Sequence, residues 1–272
     1  MRQAAPYPFR PRRSVLSPQP ETPPPGYVAL SENGIRAWVL EVEQEAVAAA
    51  LFHARGCAPL EAAGGRGGVL RFDLGQGEGV LRPFRRGGIA GRVLANRYFR
   101  DNRPLREFRV HAELLRRGAP CAPLLGVAWQ AQGPWFSGAI ATGFIEGPSL
   151  ESLLAGDAAE EALQEALSEA GRAVRALHDA GGLHADLHPG NILVAREGAF
   201  LIDFDRARLF PALSPAQRAS NLLRLRRAFV KRGHDPRHLA TMLEAYGGGH
   251  ASTALQRVVA MGRERWVRRK TR

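Results

Sequence analysis

The stretch from His184 to Asp205, HADLHPGNILVAREGAFLIDFD, constrains this chain more than any other part of it. Two apolar runs, Ile192-Leu193-Val194 and Phe200-Leu201-Ile202, are joined by a polar turn at Arg196-Glu197-Gly198, the pattern of a tight β-hairpin. Polar groups stand at both of its ends. Asp186 lies five residues before Asn191, and Asp203-Phe204-Asp205 begins twelve residues beyond that Asn. The plain reading is an acidic, metal-free hairpin whose Asp residues cap turns. It leaves unexplained an Asn directly before a buried strand, and two Asp residues at the end of another.

Phosphoryl transfer from ATP accounts for both. That reaction needs a carboxylate to accept the acceptor hydroxyl's proton, and oxygen ligands to hold Mg2+ against the phosphates. Asp186 is the candidate base, and Asn191 and Asp203 are the candidate metal ligands. Asp205 is read as a further ligand or a partner behind the ligands, and His184 as a structural residue packed beneath the loop. The arrangement resembles the catalytic loop H-x-D-x-x-x-x-N of protein-kinase-like enzymes, followed by a D-F-x metal motif.

Composition fits a soluble enzyme. A chain of 272 residues with 45% apolar and 24% charged residues can build one bilobal unit with a full core. Cys57 and Cys121 follow no metal-ligand spacing and suggest a reduced compartment. The basic start (Arg2, Arg10, Arg12, Arg13) is followed by no apolar run, so it is not read as a secretory signal. Residues 118–145 carry no charge, but prolines, glutamines and glycines interrupt them. Two buried strands, Leu124–Trp129 and Trp135–Phe144, fit that segment better than a membrane span of about 20 apolar residues. No transmembrane helix is expected.

The N-terminal half reads as a nucleotide clamp. Residues 1–26 hold eight of the 19 prolines and are expected to form a mobile tail. A helix is expected over Glu41–Ala54. The glycine run containing Gly65, Gly67 and Gly68 precedes strands at Val69–Leu74 and Gly79–Phe84, where backbone amides can approach a polyphosphate. ATP-binding lobes of this kind supply a strand lysine, yet the first lysine here is Lys231. Arg82 occupies the expected place. Its partner is a glutamate of the helix Leu105–Leu115, with Glu107 the first candidate and Glu113 the alternative on another helical face. Such a pair is equally compatible with simple helix–strand packing.

The C-terminal half is expected to be mostly helical. A linker at Ile145-Glu146-Gly147-Pro148 leads to a strongly amphipathic helix, Ala158–His178, stopped by Gly181-Gly182 before the catalytic loop. Beyond Asp205 only 67 residues remain, without an A-P-E signature, and Ser214–Lys231 reads as another helix. These features point to an α+β, bilobal protein-kinase-like fold with a small β-rich N-lobe over 27–147 and a mostly helical C-lobe over 148–272. They favour the small-molecule branch of that fold.

Particular residues narrow the branch. Arg82–Gly88 (RPFRRGG), Asn96-Arg97-Tyr98-Phe99, Arg106-Glu107-Phe108, Gly118–Pro123, His184–Leu193, Asp203–Arg206 and Asn221–Leu225 together resemble the Kdo kinase family, over roughly residues 60–230. The chain departs from that family at His188, where Asn is common, and at Pro83-Phe84, where a His-aromatic pair is favoured. The resemblance implies phosphorylation of the Kdo sugar of a lipid A–Kdo glycolipid acceptor, at its 4-hydroxyl, in lipopolysaccharide inner-core assembly. It also implies a peripheral enzyme on the cytoplasmic face of the inner membrane. The net charge of +12 suits an anionic membrane surface and an acidic acceptor. No nucleic acid is expected, since the arginines lack interleaved stacking aromatics. A heptose kinase, an aminoglycoside- or choline-type phosphotransferase and a pseudokinase-like binding module are the alternatives. The intact Asp186, Asn191 and Asp203 weigh against the last.

Overall fold

Strand alternation organises the first half of the protein. In the structure, a computed structural model, residues 22–60, 68–84, 98–99 and 101–247 are described. The strands β1 (Tyr27–Glu32), β2 (Ile35–Leu40), β3 (Ala58–Pro59), β4 (Leu70–Asp73), β5 (Glu78–Pro83), β6 (Tyr98–Phe99), β7 (Leu124–Gln132) and β8 (Trp135–Gly143) form one antiparallel sheet in the order β1-β2-β7-β8-β5-β4-β3, with β6 also on β8. Successive side chains of a strand point to opposite faces. Accordingly Ala37 and Val39 join one apolar cluster, with Val47 and Leu51 of helix α1 (Gln44–His53), while Trp38 joins another. That second cluster packs under helix α2 (Arg103–Arg116), where Phe108 meets Tyr27 and Trp38 edge-on at 5.0 and 5.7 Å between ring centres. The expected strands near 124–144 are therefore present, joined by a tight turn at Gly133-Pro134. Among the described residues no helix is long and apolar enough to cross a membrane.

The second half follows 3.6-residue periodicity. Helices α3 (Leu150–Ala155), α4 (Glu160–Asp179), α5 (Pro215–Arg232) and α6 (Pro236–Gly247) surround two small ladders, β10 (Ile192–Ala195) with β11 (Gly198–Leu201) and β9 (Gly182–Leu183) with β12 (Arg208–Leu209). α4 buries Leu163, Leu167, Val174 and Leu177 along one stripe. α5 begins at a capping box, in which Ser214 and Gln217 satisfy each other's backbone N–H groups, and ends at Gly233 in the left-handed region. α6 crosses α4 so closely that a Cβ on Gly171 would sit 2.2 Å from the carbonyl oxygen of Met242. The linker is seated as tightly. A Cβ on Gly147 would lie 2.1 Å from the carbonyl oxygen of Val194, on the β10–β11 hairpin. α2 joins the halves, because its Val110 and Leu114 belong to the helical core while its Phe108 belongs to the sheet.

Buried histidines tie these layers together. His178 on α4 donates from Nε2 to Asn221 Oδ1 of α5 at 3.0 Å and accepts at Nδ1 from the Tyr246 hydroxyl of α6 at 2.9 Å. His111 on α2 donates to the carbonyl of Ala122 at 2.8 Å. Burial lowers both imidazoles to about 4, against about 6.5 in an unfolded chain. Between those values the unfolded chain binds protons that the folded one does not. The stabilisation is thus complete above pH ~6.5 and is lost as the pH falls towards ~4. At pH 5 each ring costs about 2 kcal/mol of stability. Urea unfolding midpoints should fall between pH 7.5 and 5, and His178→Gln should be less stable at pH 7.5 but lose less on acidification. An equal loss in the variant and the parent would contradict a neutral, buried His178.

Candidate active site

The loop after β9 is held by side chains whose hydrogen bonds run back to the backbone. His184, 1% exposed, donates from Nε2 to the carbonyl of Ile202 at 3.0 Å and accepts at Nδ1 from the Asp186 N–H at 3.1 Å. One ring therefore fixes both the loop and the strand that leads into Asp203, and burial lowers its pKa. Asn221 adds a clamp from α5. Its amide donates to the His184 carbonyl at 2.7 Å, and its oxygen accepts the His184 N–H at 3.2 Å. Asn191, in the short 3-10 turn Pro189–Asn191, donates its amide to the Asp186 carbonyl at 2.9 Å, while its own carbonyl accepts the Ile202 N–H at 3.1 Å. With the backbone so constrained, the Asp186 side chain is left 70% exposed. Its Oδ2 lies 3.7 Å from His188 Nε2.

Asp203 arrives beside this loop at the end of the hairpin. Its backbone is left-handed, with φ of 62°, and Arg206 repeats that conformation at 61°. Both are uncommon for side-chain-bearing residues, Asp less so than Arg. The two bends turn Phe204 into the core, where it lies 4.8 Å from the His111 ring and 5.3 Å from the His184 ring, and leave Asp203 half-buried. Asn191 spends its amide N–H on the Asp186 carbonyl, which leaves its amide oxygen without that duty. No group of three or more His, Cys, Asp or Glu side chains gathers for a metal among the described residues. Two protein oxygens nonetheless fit Mg2+, which keeps waters and takes further oxygens from phosphates. Asp205, the further acidic candidate, is instead engaged by Arg103 of α2, whose guanidinium also stacks on Tyr98 at 4.4 Å.

Arg82 on β5 connects the sheet to this motif. Its Nη2 pairs with Glu107 Oε1 of α2 and lies 3.4 Å from Asp203 Oδ1. Glu107 is thus the partner. Glu113 faces elsewhere, bound by Arg116 and Arg117 at 2.5 and 2.8 Å. Burial opposes the charge on Arg82, but Glu107 and Asp203 outweigh it and hold the guanidinium more firmly protonated than usual. For Glu107 burial is the larger effect and pushes its carboxyl up despite Arg82. Geometry supplies the cause, since Glu107 Oε2 is buried without a hydrogen-bond partner.

Several expected and unexpected residues complete the account. Gly68 precedes β4 with φ of 139°, whereas Gly65, Gly67 and residues 85–88 lie outside the described residues. Sequence reasoning did not single out Asn221 or Arg103. The signal for Asn221 was a polar residue on the apolar face shared by Leu222 and Leu225. Arg117 was likewise missed; it donates to the carbonyls of Ala180 and Phe210 at 3.1 and 2.8 Å, fastening α2 to the loop's approach.

The sequence model of a family described as the lipopolysaccharide kinase (Kdo/WaaP) family matches residues 52–246. A 3-deoxy-D-manno-octulosonic acid kinase of Xylella fastidiosa (strain 9a5c) is 35% identical over 174 residues, covering 62% of this chain and 68% of that protein. The protein of the same name from Xanthomonas campestris pv. campestris (strain B100) is 38% identical over 175 residues, with the same coverage of 62% and 68%. The solved structure of WaaP in complex with acyl carrier protein aligns over 78% of this chain and 86% of that one, with a TM-score of 0.50 and 19% identity. That likeness concerns the fold and matches the kinase-like arrangement of sheet and helices described above.

Removing one member of a buried ion pair strands the other, at about 3–5 kcal/mol. Arg82→Met should therefore destabilise the protein by that order in urea unfolding, and Glu107→Gln added to it should recover much of the loss. A double variant no more stable than Arg82→Met would show that Glu107 is not the group left stranded.

Proposed function

The chain belongs to the lipopolysaccharide kinase (Kdo/WaaP) family, and from that premise we propose that it phosphorylates the 4-hydroxyl of Kdo on a lipid A–Kdo acceptor during inner-core assembly. It is a kinase, and ATP is its phosphoryl donor. The observation that carries the site assignment is the exposed Asp186 carboxylate, on a backbone fixed by His184, Asn191 and Asn221. The acceptor reading is supported by the relatives named 3-deoxy-D-manno-octulosonic acid kinase.

In this reading Asp186 orients the sugar hydroxyl and takes its proton as the phosphoryl group transfers. Asn191 and Asp203 would hold Mg2+, which when bound neutralises charge on the phosphates. Arg82 replaces the strand lysine of other ATP-binding lobes, anchored by Glu107 and offering a planar fork to phosphate oxygens. Gly68, just ahead of β4, is assigned to the phosphates. The lobes divide as 27–147 and 148–272, with the linker at 145–148 beside the nucleotide base. The enzyme works at the cytoplasmic face of the inner membrane as a peripheral protein. Its charge of +12 and the exposed Arg224, Arg227 and Lys231 on α5 favour an anionic bilayer surface.

Mass spectrometry of a Kdo–lipid A acceptor after incubation with enzyme, Mg2+ and ATP tests the reaction, with one added phosphate on Kdo expected. Asp186→Asn should lower kcat by about 10²- to 10⁴-fold while nucleotide affinity is kept. Turnover near the parent value would remove Asp186 from the role of base. Arg82→Lys keeps the charge but not the fork, and should raise the KM for ATP. An unchanged KM would detach Arg82 from the phosphates.

A further inference from the structure

One exposed cation stands behind the ring that faces the proposed base. Arg232, the last residue of α5, places Nη2 3.5 Å from Nδ1 of His188, and His188 places Nε2 3.7 Å from Asp186 Oδ2. His188 Nδ1 also accepts the Gly190 N–H at 3.0 Å, which fixes the ring against the loop with its Nε2 edge towards Asp186. A guanidinium is therefore one imidazole ring away from the carboxylate proposed to take the hydroxyl proton.

Three arginines that reach the loop and the metal motif are committed. Arg82 serves Glu107 and Asp203, Arg103 serves Asp205, and Arg117 serves Glu113 and two backbone carbonyls. Arg232 has a weaker commitment. Its Nε lies 2.9 Å from Glu151 Oε2, yet that oxygen receives no aligned hydrogen bond, and Glu151 Oε1 is taken by His234 Nε2 at 3.0 Å. Glu151 holds the guanidinium in place by charge without using up its five N–H donors. Arg232 is also exposed, so those donors are within reach of a ligand.

An acidic ulosonic sugar presents a matching pair of groups. In a 3-deoxy-2-ulosonic acid the carboxyl group is carried by C2, two ring carbons from the 4-hydroxyl. A base and a cation close together can engage both groups of one sugar at once. We propose that Arg232, steadied by Glu151 and backed by His188, is the seat for the carboxylate of the acceptor sugar, bound through the guanidinium fork. The carboxylate then anchors the ring while Asp186 receives the hydroxyl, which would make a sugar lacking that acid group a poor acceptor. This assignment rests on the acidic-sugar reading given above.

Steady-state kinetics of the full-length enzyme, with ATP and a soluble Kdo glycoside varied separately, tests it. Arg232→Gln should raise the KM for the glycoside by roughly ten- to a hundredfold, the loss expected for a charge-assisted hydrogen-bonded pair, and leave the KM for ATP unchanged. The methyl ester of the same glycoside should be an equally poor substrate for the parent and for Arg232→Gln. Glu151→Gln, which disturbs the same packing but keeps the guanidinium, should still prefer the free acid over the ester. If Arg232→Gln does not fold, Arg232→Lys carries the test, with a smaller rise expected because the charge survives without the fork. An unchanged KM for the glycoside, a rise in the KM for ATP instead, or an ester that still separates parent from variant would overturn the proposal. A parent enzyme that ignores the Kdo glycoside overturns the acceptor reading and this assignment with it. That failure is distinguishable, because it appears before any substitution is made.

Discussion

The ion pair between Arg82 and Glu107 is the contact on which the active-site geometry depends. It is the point where β5, α2 and the hairpin end at Asp203 meet, and it lies in surroundings dry enough to raise the carboxyl of Glu107. A buried pair of this kind is a poor source of stability, because desolvation cancels much of the attraction. Its value is positional. Two charges that are costly to leave alone hold the sheet and α2 in one relative placement, and α2 in turn passes that placement on through Val110, Leu114, Arg103 and Arg117.

Around this pair the polar groups of the catalytic turn are arranged in a chain that reaches from α6 to the proposed base. Tyr246 bonds His178, His178 bonds Asn221, Asn221 holds the backbone of His184, and the ring of His184 holds the N–H of Asp186. The first three links are buried and the last is part-buried, so each is costly to leave unmade. A turn that carries an exposed carboxylate is thereby given the rigidity of the helical core.

Much of this was legible in the sequence, for identifiable reasons. The hairpin at 192–201 follows from two apolar runs around a polar turn, and helices α2, α4 and α5 lie within one or two residues of their expected ends. The Asn191 amide reaches back to the Asp186 carbonyl, and Arg82 meets Glu107. What was not legible has one physical origin: contacts remote in sequence. β1 and β2 read as mixed sequence because their burial comes from β7 and α2 rather than from local alternation. α6 buries Leu239, Met242, Leu243 and Tyr246 at helical spacing, and its crossing of α4 is set by the close approach at Gly171. Glu107 and Glu113 are both helical glutamates, and only packing against β5 separates them. Arg103, which occupies Asp205, lies 102 residues away from it.

The choice of guanidinium over amine at position 82 has a consequence for the chemical reactivity of the cleft. The whole chain contains two lysines, Lys231 and Lys270, and Lys231 is exposed on the outer turn of α5. The interior cation that pairs with Glu107 is therefore not an acylatable or Schiff-base-forming group. Reagents that label ATP sites by capturing a strand amine find no nucleophile at that place in this protein. Selectivity for it has to come from shape and hydrogen bonding, or from the planar, permanently charged surface that arginine presents.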